Sequence, residues 1–310
     1  MSEPALSGRL LETRRDFMGE PRVGHIHFLN VLPLTWSFAH GANRGLRLVP
    51  GVPAELNRAL AAGNLDVSGI SSIFYAEHDE ELVILPDLCV RTDDKVTSIL
   101  FVTKKPIEEF ETERIILTAK SATSHCLLKI ILSEAYGARP NYYVRHIVPQ
   151  NPVPDDAAGA LFIGDDALWL YHHHHPGLHY YDLGEEWHKL TGLGMVYSLW
   201  VANRTFARER PHELQLVYER LLRGMEYGFA NKYATLQSVL GEKDFSFEEL
   251  EEYLEVICWD LKEEHLAGLE LFYRMAHALN LVNHIPRLEF AKVKRLQPLG
   301  RNLYEQTAVD

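Results

Sequence analysis

Short β-favouring runs alternate with amphipathic helical patterns up to residue 202, and after residue 206 the strands stop. That change in period constrains the fold more than any composition value. Residues 23–29, 65–70, 82–90 and 97–103 are predicted as short apolar strands, with further ones at 115–119, Ala158–Ile163 and Val196–Ala202. Between them, residues 53–63 form an amphipathic helical pattern. Leu56, Ala59 and Leu60 share one face there, and Gly63 follows as a C-terminal stop. A second helix is predicted over about 123–136, ending at Gly137. Strands alternating with helices imply an α/β fold with largely parallel pairing. Beyond residue 206, Arg210–Ala230, Phe247–Trp259 and Lys262–Leu281 are long helical patterns in succession, and Ser246-x-x-Glu249 fits a capping box. Leu266, Leu269, Phe272, Tyr273 and Ala276 recur at helical spacing as a core face. The sequence has no internal repeat of fixed period.

The run from Val23 to Leu34 locates a candidate ligand site. It reads as a buried strand that ends at Asn30 and turns into a helix, with Asn30 as the expected N-cap and Pro33 in the first turn. Ligands of open α/β sheets bind at the carboxyl ends of strands. Asn30 is therefore where a ligand would be met.

The chain of 310 residues is long enough for two ordinary domains, and its 46% hydrophobic and 24% charged content is that of a globular protein. Residues 1–20 mix charge and polarity with no long apolar stretch, so they do not read as a secretory signal. No apolar run is long enough to span a membrane. Three widely spaced cysteines, Cys89, Cys126 and Cys258, odd in number, point away from structural disulfides and toward a reducing cytoplasm. The net charge of −12 argues against nucleic-acid binding. An acidic chain can still hold an anion where helix N-termini and hydroxyl groups outweigh its overall field.

Other candidates follow the same logic. Ser98 opens the apolar run Ile99–Val102, and it has neither a Gly-x-Ser-x-Gly elbow nor evident His and Asp partners, so it is not read as an acylating nucleophile. Ser121, Thr123 and Ser124 follow a strand and open a helix, where hydroxyls and free N–H groups form a carboxylate cradle. Ser71 and Ser72 are placed to do the same from the opposite side. Asp165, in Gly164-Asp165-Asp166-Ala167, also sits between a strand and a helix, either facing the cleft or serving that helix's positive end. His172–His175 is read as a solvated loop before Pro176-Gly177, because consecutive side chains point apart and suit no single metal ion. His25 and His27 alternate on the first strand and read as packed or hydrogen-bonded strand residues. No cofactor or metal site is assigned, since nucleotide-binding glycine loops and Cys-x-x-Cys pairs are missing.

These segments carry a resemblance. Gly24-His25-Ile26-His27-Phe28-Leu29-Asn30-Val31-Leu32-Pro33-Leu34 is similar to the opening of the chorismate dehydratases of the futalosine route to menaquinone. Asp66–Tyr75, Val96-Thr97-Ser98, Ser121–Ser124, Phe162–Leu168, Asp182–Trp187, Thr191-Gly192-Leu193 and Trp200 follow in the family's order. The resemblance covers roughly residues 20–300. It implies a two-lobed fold of the type II periplasmic-binding-protein kind, with a central cleft and a helical C-terminal segment. Residues 1–100 plus 204–310 would form one lobe and 101–203 the other. It further implies that Asn30 and Ser98 act on the substrate, chorismate, a small dianion. The reaction removes water and gives 3-[(1-carboxyvinyl)oxy]benzoate. A site rich in Ser, Thr and Asn fits a substrate-assisted elimination, in which the substrate's own carboxylate takes the proton. Two other readings share the fold. One is a cytosolic small-carboxylate binding protein. The other is the enzyme that cleaves cyclic dehypoxanthinylfutalosine, whose Ser-Pro-Cys-Pro-Asn-Asp type of opening differs from Phe28–Pro33. An interaction protein built on the C-terminal helices is a third alternative. Oligomeric state is left open, a homodimer included.

Overall fold

The structure, a computed structural model, describes residues 19–119, 121–241 and 244–296. The charged N-terminal stretch up to residue 18 lies outside them. Two five-stranded mixed sheets form the frame. The first contains β1 (Arg22–His25), β2 (Arg47–Pro50), β3 (Val67–Ser71), β4 (Leu82–Thr92) and β10 (Met195–Asn203), in the order β2-β1-β3-β10-β4. The second contains β5 (Ile99–Thr103), β6 (Arg114–Leu117), β7 (Asn141–Val144), β8 (Gly159–Ile163) and β9 (His179–Asp182), in the order β7-β6-β8-β5-β9.

The two sheets are built alike. In each, three strands run parallel: β2, β1 and β3 in the first, β7, β6 and β8 in the second. In each, the fourth strand is antiparallel to its neighbours and arrives from the other sheet: β10 between β3 and β4, and β5 between β8 and β9. The chain therefore crosses between sheets over residues 93–98 and returns over 183–194. β10 belongs to the first sheet, whereas the boundary expected at residue 203 had assigned it to the second lobe. Its pairing with β3 from Ser198↔Ser71 to Ala202↔Val67 fixes that membership.

The helices follow from the sequence pattern. They are α1 (Leu32–Ala39), α2 (Pro53–Ala61), α3 (Ser72–Glu77), α4 (Ala122–Glu134), α5 (Asp165–His172) and α6 (Leu183–Thr191), then α7 (Arg204–Glu209), α8 (Pro211–Ala230), α9 (Lys232–Gln237), α10 (Phe247–Val256) and α11 (Glu263–Ala278). The Ser246–Glu249 capping box is present in both directions at the start of α10. Gly228 on α8 allows the closest helix contact, since a Cβ there would lie 2.0 Å from the Pro33 carbonyl oxygen of α1. The segment after α11 runs along β4: Ile84 N–H donates to Glu289 O and Ala291 N–H to Ile84 O, which covers that sheet edge.

One apolar core runs through the first sheet, its helices and the inner face of the second sheet. The outer face of the second sheet has its own smaller core. Leu100, Val102, Ile116 and Phe162 pack there against Ala167 and Leu170 of α5. The two faces of β5 alternate accordingly, with Phe101 facing the main core.

Candidate active site

A cavity of about 450 Å³ opens between the two sheets. Its wall is formed by residues just past strand ends: Ile26 and 28–31 after β1, Ser71 ending β3, Ala119 and 121–124 after β6, and 163–166 at the end of β8. α1, α2, α4 and α5 all begin at this wall, so the positive ends of their dipoles lie beside it. Lys and Arg are missing among the described residues of the lining. The donors that the described lining offers an anion include backbone N–H and hydroxyl groups.

The most constrained point of the wall is the crossing at Val96–Ser98. Thr97 has φ +58°, a left-handed conformation that a β-branched residue adopts at a cost on the order of 1–3 kcal/mol. Ser98 N–H closes a three-residue turn onto Val96 O at 2.7 Å. The Thr97 hydroxyl is also buried with no hydrogen-bond partner among the described residues. What holds the turn is Asp182, 6% exposed. Its carboxylate accepts from Val96 N–H (3.0 Å) and Thr97 N–H (2.6 Å), and it caps α6 through Gly184 N–H (2.8 Å) and Glu185 N–H (3.2 Å). Burial raises the Asp182 carboxyl above the usual range, and the same four N–H donors oppose that shift. Gly184 lets α6 approach, because a Cβ there would lie 2.3 Å from Asp94 O and 3.0 Å from Val96 N. The turn delivers Ser98 to the cavity wall. Its hydroxyl accepts from the Tyr253 phenol of α10 at 3.1 Å, and its carbonyl accepts from Gly164 N–H at 2.8 Å.

Asn30 lies on the same wall but does not cap a helix, as the sequence had implied. β1 stops at His25, Leu29–Val31 is a 3-10 turn, and Val31 precedes α1 without side-chain capping. The strand ends early because Pro50 closes the pairing of β1 with β2 opposite His25. The Asn30 amide is consequently spared from capping and lines the cavity, while its carbonyl accepts from Trp259 Nε1 at 2.8 Å. Tyr253 and Trp259 thus bring one C-terminal segment against both Ser98 and Asn30.

The structure brings Ser71, Ser121, Thr123, Ser124 and Asp165 to the cavity with Asn30 and Ser98. Ser72 is not there. It is fully buried, and its hydroxyl donates to Val196 O at 2.6 Å, because the chain leaves β3 at Ser71 and Ser72 opens α3 under the sheet. The hydroxyls at the start of α4 are partly committed. Ser121 Oγ caps by accepting from Ser124 N–H at 3.3 Å, and it lies 3.0 Å from Ser124 Oγ. Thr123 Oγ1 accepts from Ile73 N–H of α3 at 3.0 Å. Asp165 opens α5.

His25 also lines the cavity, with Nε2 3.1 Å from the Thr35 hydroxyl. Burial, assisted by His27, lowers its pKa to about 4, so it is neutral at pH 7 and a weak base. Of the histidine run, His172 ends α5 and stands 3.9 Å from Glu249, rather than lying in a loop. His173 stacks on Trp169 and His174 on Tyr180, so the run diverges. Asp182, Tyr253 and Trp259 were not singled out from sequence. The one available signal was that a buried Tyr or Trp needs a partner for its polar atom.

Comparisons with known proteins agree with this architecture. Residues 21–278 match the model of a family described as menaquinone biosynthesis. The chain is 32% identical over 218 residues to the chorismate dehydratase of Thermus thermophilus, covering 64% of this chain and 73% of that protein. Protein AF1704 of Archaeoglobus fulgidus superposes with a TM-score of 0.67 at 20% identity, over 84% of this chain and 98% of that one. The periplasmic aliphatic sulphonate binding protein SsuA of Escherichia coli gives 0.63 at 13% identity, over 90% and 96%. The fold is the two-lobed periplasmic-binding-protein kind. The chain belongs to the menaquinone biosynthesis family.

Proposed function

We propose that this chain is a carbon–oxygen lyase that dehydrates chorismate to 3-[(1-carboxyvinyl)oxy]benzoate. The observation that carries the reading is the convergence of Asn30 and Ser98 on one cavity walled by helix N-termini. The likeness to the Thermus thermophilus chorismate dehydratase supports it. Chorismate loses its C3 proton and its C4 hydroxyl, the two leave as water, and the ring becomes aromatic.

The roles follow from donor and acceptor chemistry. Two carboxylates need donors, which the start of α4 (Ser121, Thr123, Ser124), Ser71 and the Asn30 amide supply. The substrate's only donor is its C4 hydroxyl, and Asp165 is the acceptor assigned to it. Ser98 donates to the same oxygen as it departs. Neutral His25 is too weakly basic to take the C3 proton at pH 7. That proton goes to the substrate's own enolpyruvyl carboxylate, oriented by Asn30, which hands it on to the departing C4 oxygen so that water leaves and the carboxylate is restored, and the protein supplies position and charge stabilisation. Under this reading the substrate is a small molecule and needs no resident cofactor. Cys89, Cys126 and Cys258 are not joined in disulfides, which fits a reducing cytoplasm. No helix among the described residues is long and apolar enough to cross a membrane. We draw the lobes at the two crossings, so that among the described residues β10 joins 19–92 and those from 204 to 296 in the first lobe.

Mixing the purified protein with chorismate and following products by mass spectrometry tests the assignment. A product lighter by one water, with aromatic absorption, is expected. Unreacted chorismate beside folded protein would exclude it.

A further inference from the structure

We infer that Tyr253 is a positioning residue that presets Ser98 as a hydrogen-bond donor to the substrate. The inference rests on the dehydratase reading and extends it to a residue of the C-terminal helical segment. A serine hydroxyl has one proton and can accept or donate. The Tyr253 phenol donates to Ser98 Oγ at 3.1 Å, which occupies an acceptor position of that oxygen and leaves the Ser98 proton to turn toward the cavity.

Three features fit this role. Tyr253 is 3% exposed, and burial pushes its phenol well above the usual range, so it stays protonated and always donates. The backbone of Ser98 is fixed independently by the Thr97 turn on Asp182, so the phenol has only the side-chain rotor left to set. Trp259, six residues further along the same segment, fixes the Asn30 carbonyl, which ties the phenol's placement to the opposite side of the site. With its proton directed inward, Ser98 stabilises negative charge growing on the departing C4 oxygen and takes no proton from the substrate. Tyr253 also lines the cavity, and its described hydrogen bond runs to Ser98, so it acts through that hydroxyl.

Steady-state turnover of chorismate by Tyr253→Phe, Ser98→Ala and the double variant tests this. Tyr253→Phe is expected to lower kcat about 10-fold with KM within about 2-fold, as for loss of one charge-stabilising hydrogen bond. The double variant is expected to be no slower than Ser98→Ala alone. Unchanged kcat in Tyr253→Phe, or losses that multiply in the double variant, would overturn the inference. Should Tyr253→Phe fold poorly, a fluorinated tyrosine at position 253 keeps the contact and makes the phenol more acidic. Its stronger donation to Ser98 should then leave kcat at neutral pH at or above that of the wild type with KM unchanged, and a lower kcat would overturn the inference. Asp165 on α5 and Tyr197 on β10 are the ionisable groups whose charge reaches the phenol, and they are common to both proteins. Absence of product from the wild type itself would instead remove the dehydratase reading on which the inference rests.

Discussion

The crossing at Val96–Ser98 and the helix start at Ser121–Ser124 both present hydroxyls to the same cavity, yet they are built by opposite means. At the crossing, a β-branched residue is held at φ +58° with a buried, unpartnered hydroxyl, and a buried carboxylate and a distant phenol fix it. At the helix start, Ser121 caps through a bond three residues away, and the backbone is ordinary. Strain is tolerated only where the surroundings over-determine it. The contrast separates two tasks: the crossing places one hydroxyl for a charge that appears during reaction, and the helix start meets a charge the substrate already carries. The first should govern turnover and the second affinity.

Ser98→Ala is expected to lower kcat about 10²–10³-fold with little change in KM, the range for loss of one donor to developing charge. A comparable rise in KM instead would merge the two regions into one binding surface. Asp182→Asn puts an amide against N–H groups that need an acceptor. It should cost about 3 kcal/mol of stability, read as a lower midpoint in urea, and should reduce turnover together with it. Full stability in that variant would show that the Thr97 turn needs no clamp.

His25 probes how dry the first-sheet wall is. Its pKa of about 4 lies below the unfolded value near 6.5, so the unfolded chain binds more protons between those values. Stability from the neutral imidazole is complete above pH 6.5 and declines as pH falls toward 4, by about 3 kcal/mol in all. His25→Gln should flatten that limb of a urea-midpoint against pH plot. An unchanged limb would assign the acid sensitivity elsewhere. Ser121→Ala should cost about 1 kcal/mol of stability, as for loss of an N-cap, and raise KM several-fold with kcat nearly unchanged.

What the sequence revealed divides along the same line. The central strands β5 and β8 were legible because they are nearly continuous apolar runs, buried on both faces, whereas β1 and β3 carry Gly, Ser and His among their buried positions. β2, β7 and β9 went unseen: each is a four-residue edge strand with exposed positions, and such strands carry little apolar signal. Position along a strand end was enough to bring Asn30, Ser71 and Ser121 to the cavity. It was not enough to separate Ser71 from Ser72, where the strand gives way to α3 and the hydroxyl turns into the core. Asn30 was placed correctly on the cavity wall, but as an N-cap it was misread, since the helix begins two residues later. Tyr253 was invisible because its partner lies 155 residues away, and no local period reports such a contact.

The division of labour is tested most directly by comparing Ser98→Ala and Ser121→Ala on chorismate, with loss of water followed by mass spectrometry. The account predicts that Ser98→Ala loses kcat at unchanged KM, and that Ser121→Ala loses affinity at nearly unchanged kcat. Wild-type kcat in Ser98→Ala would contradict it.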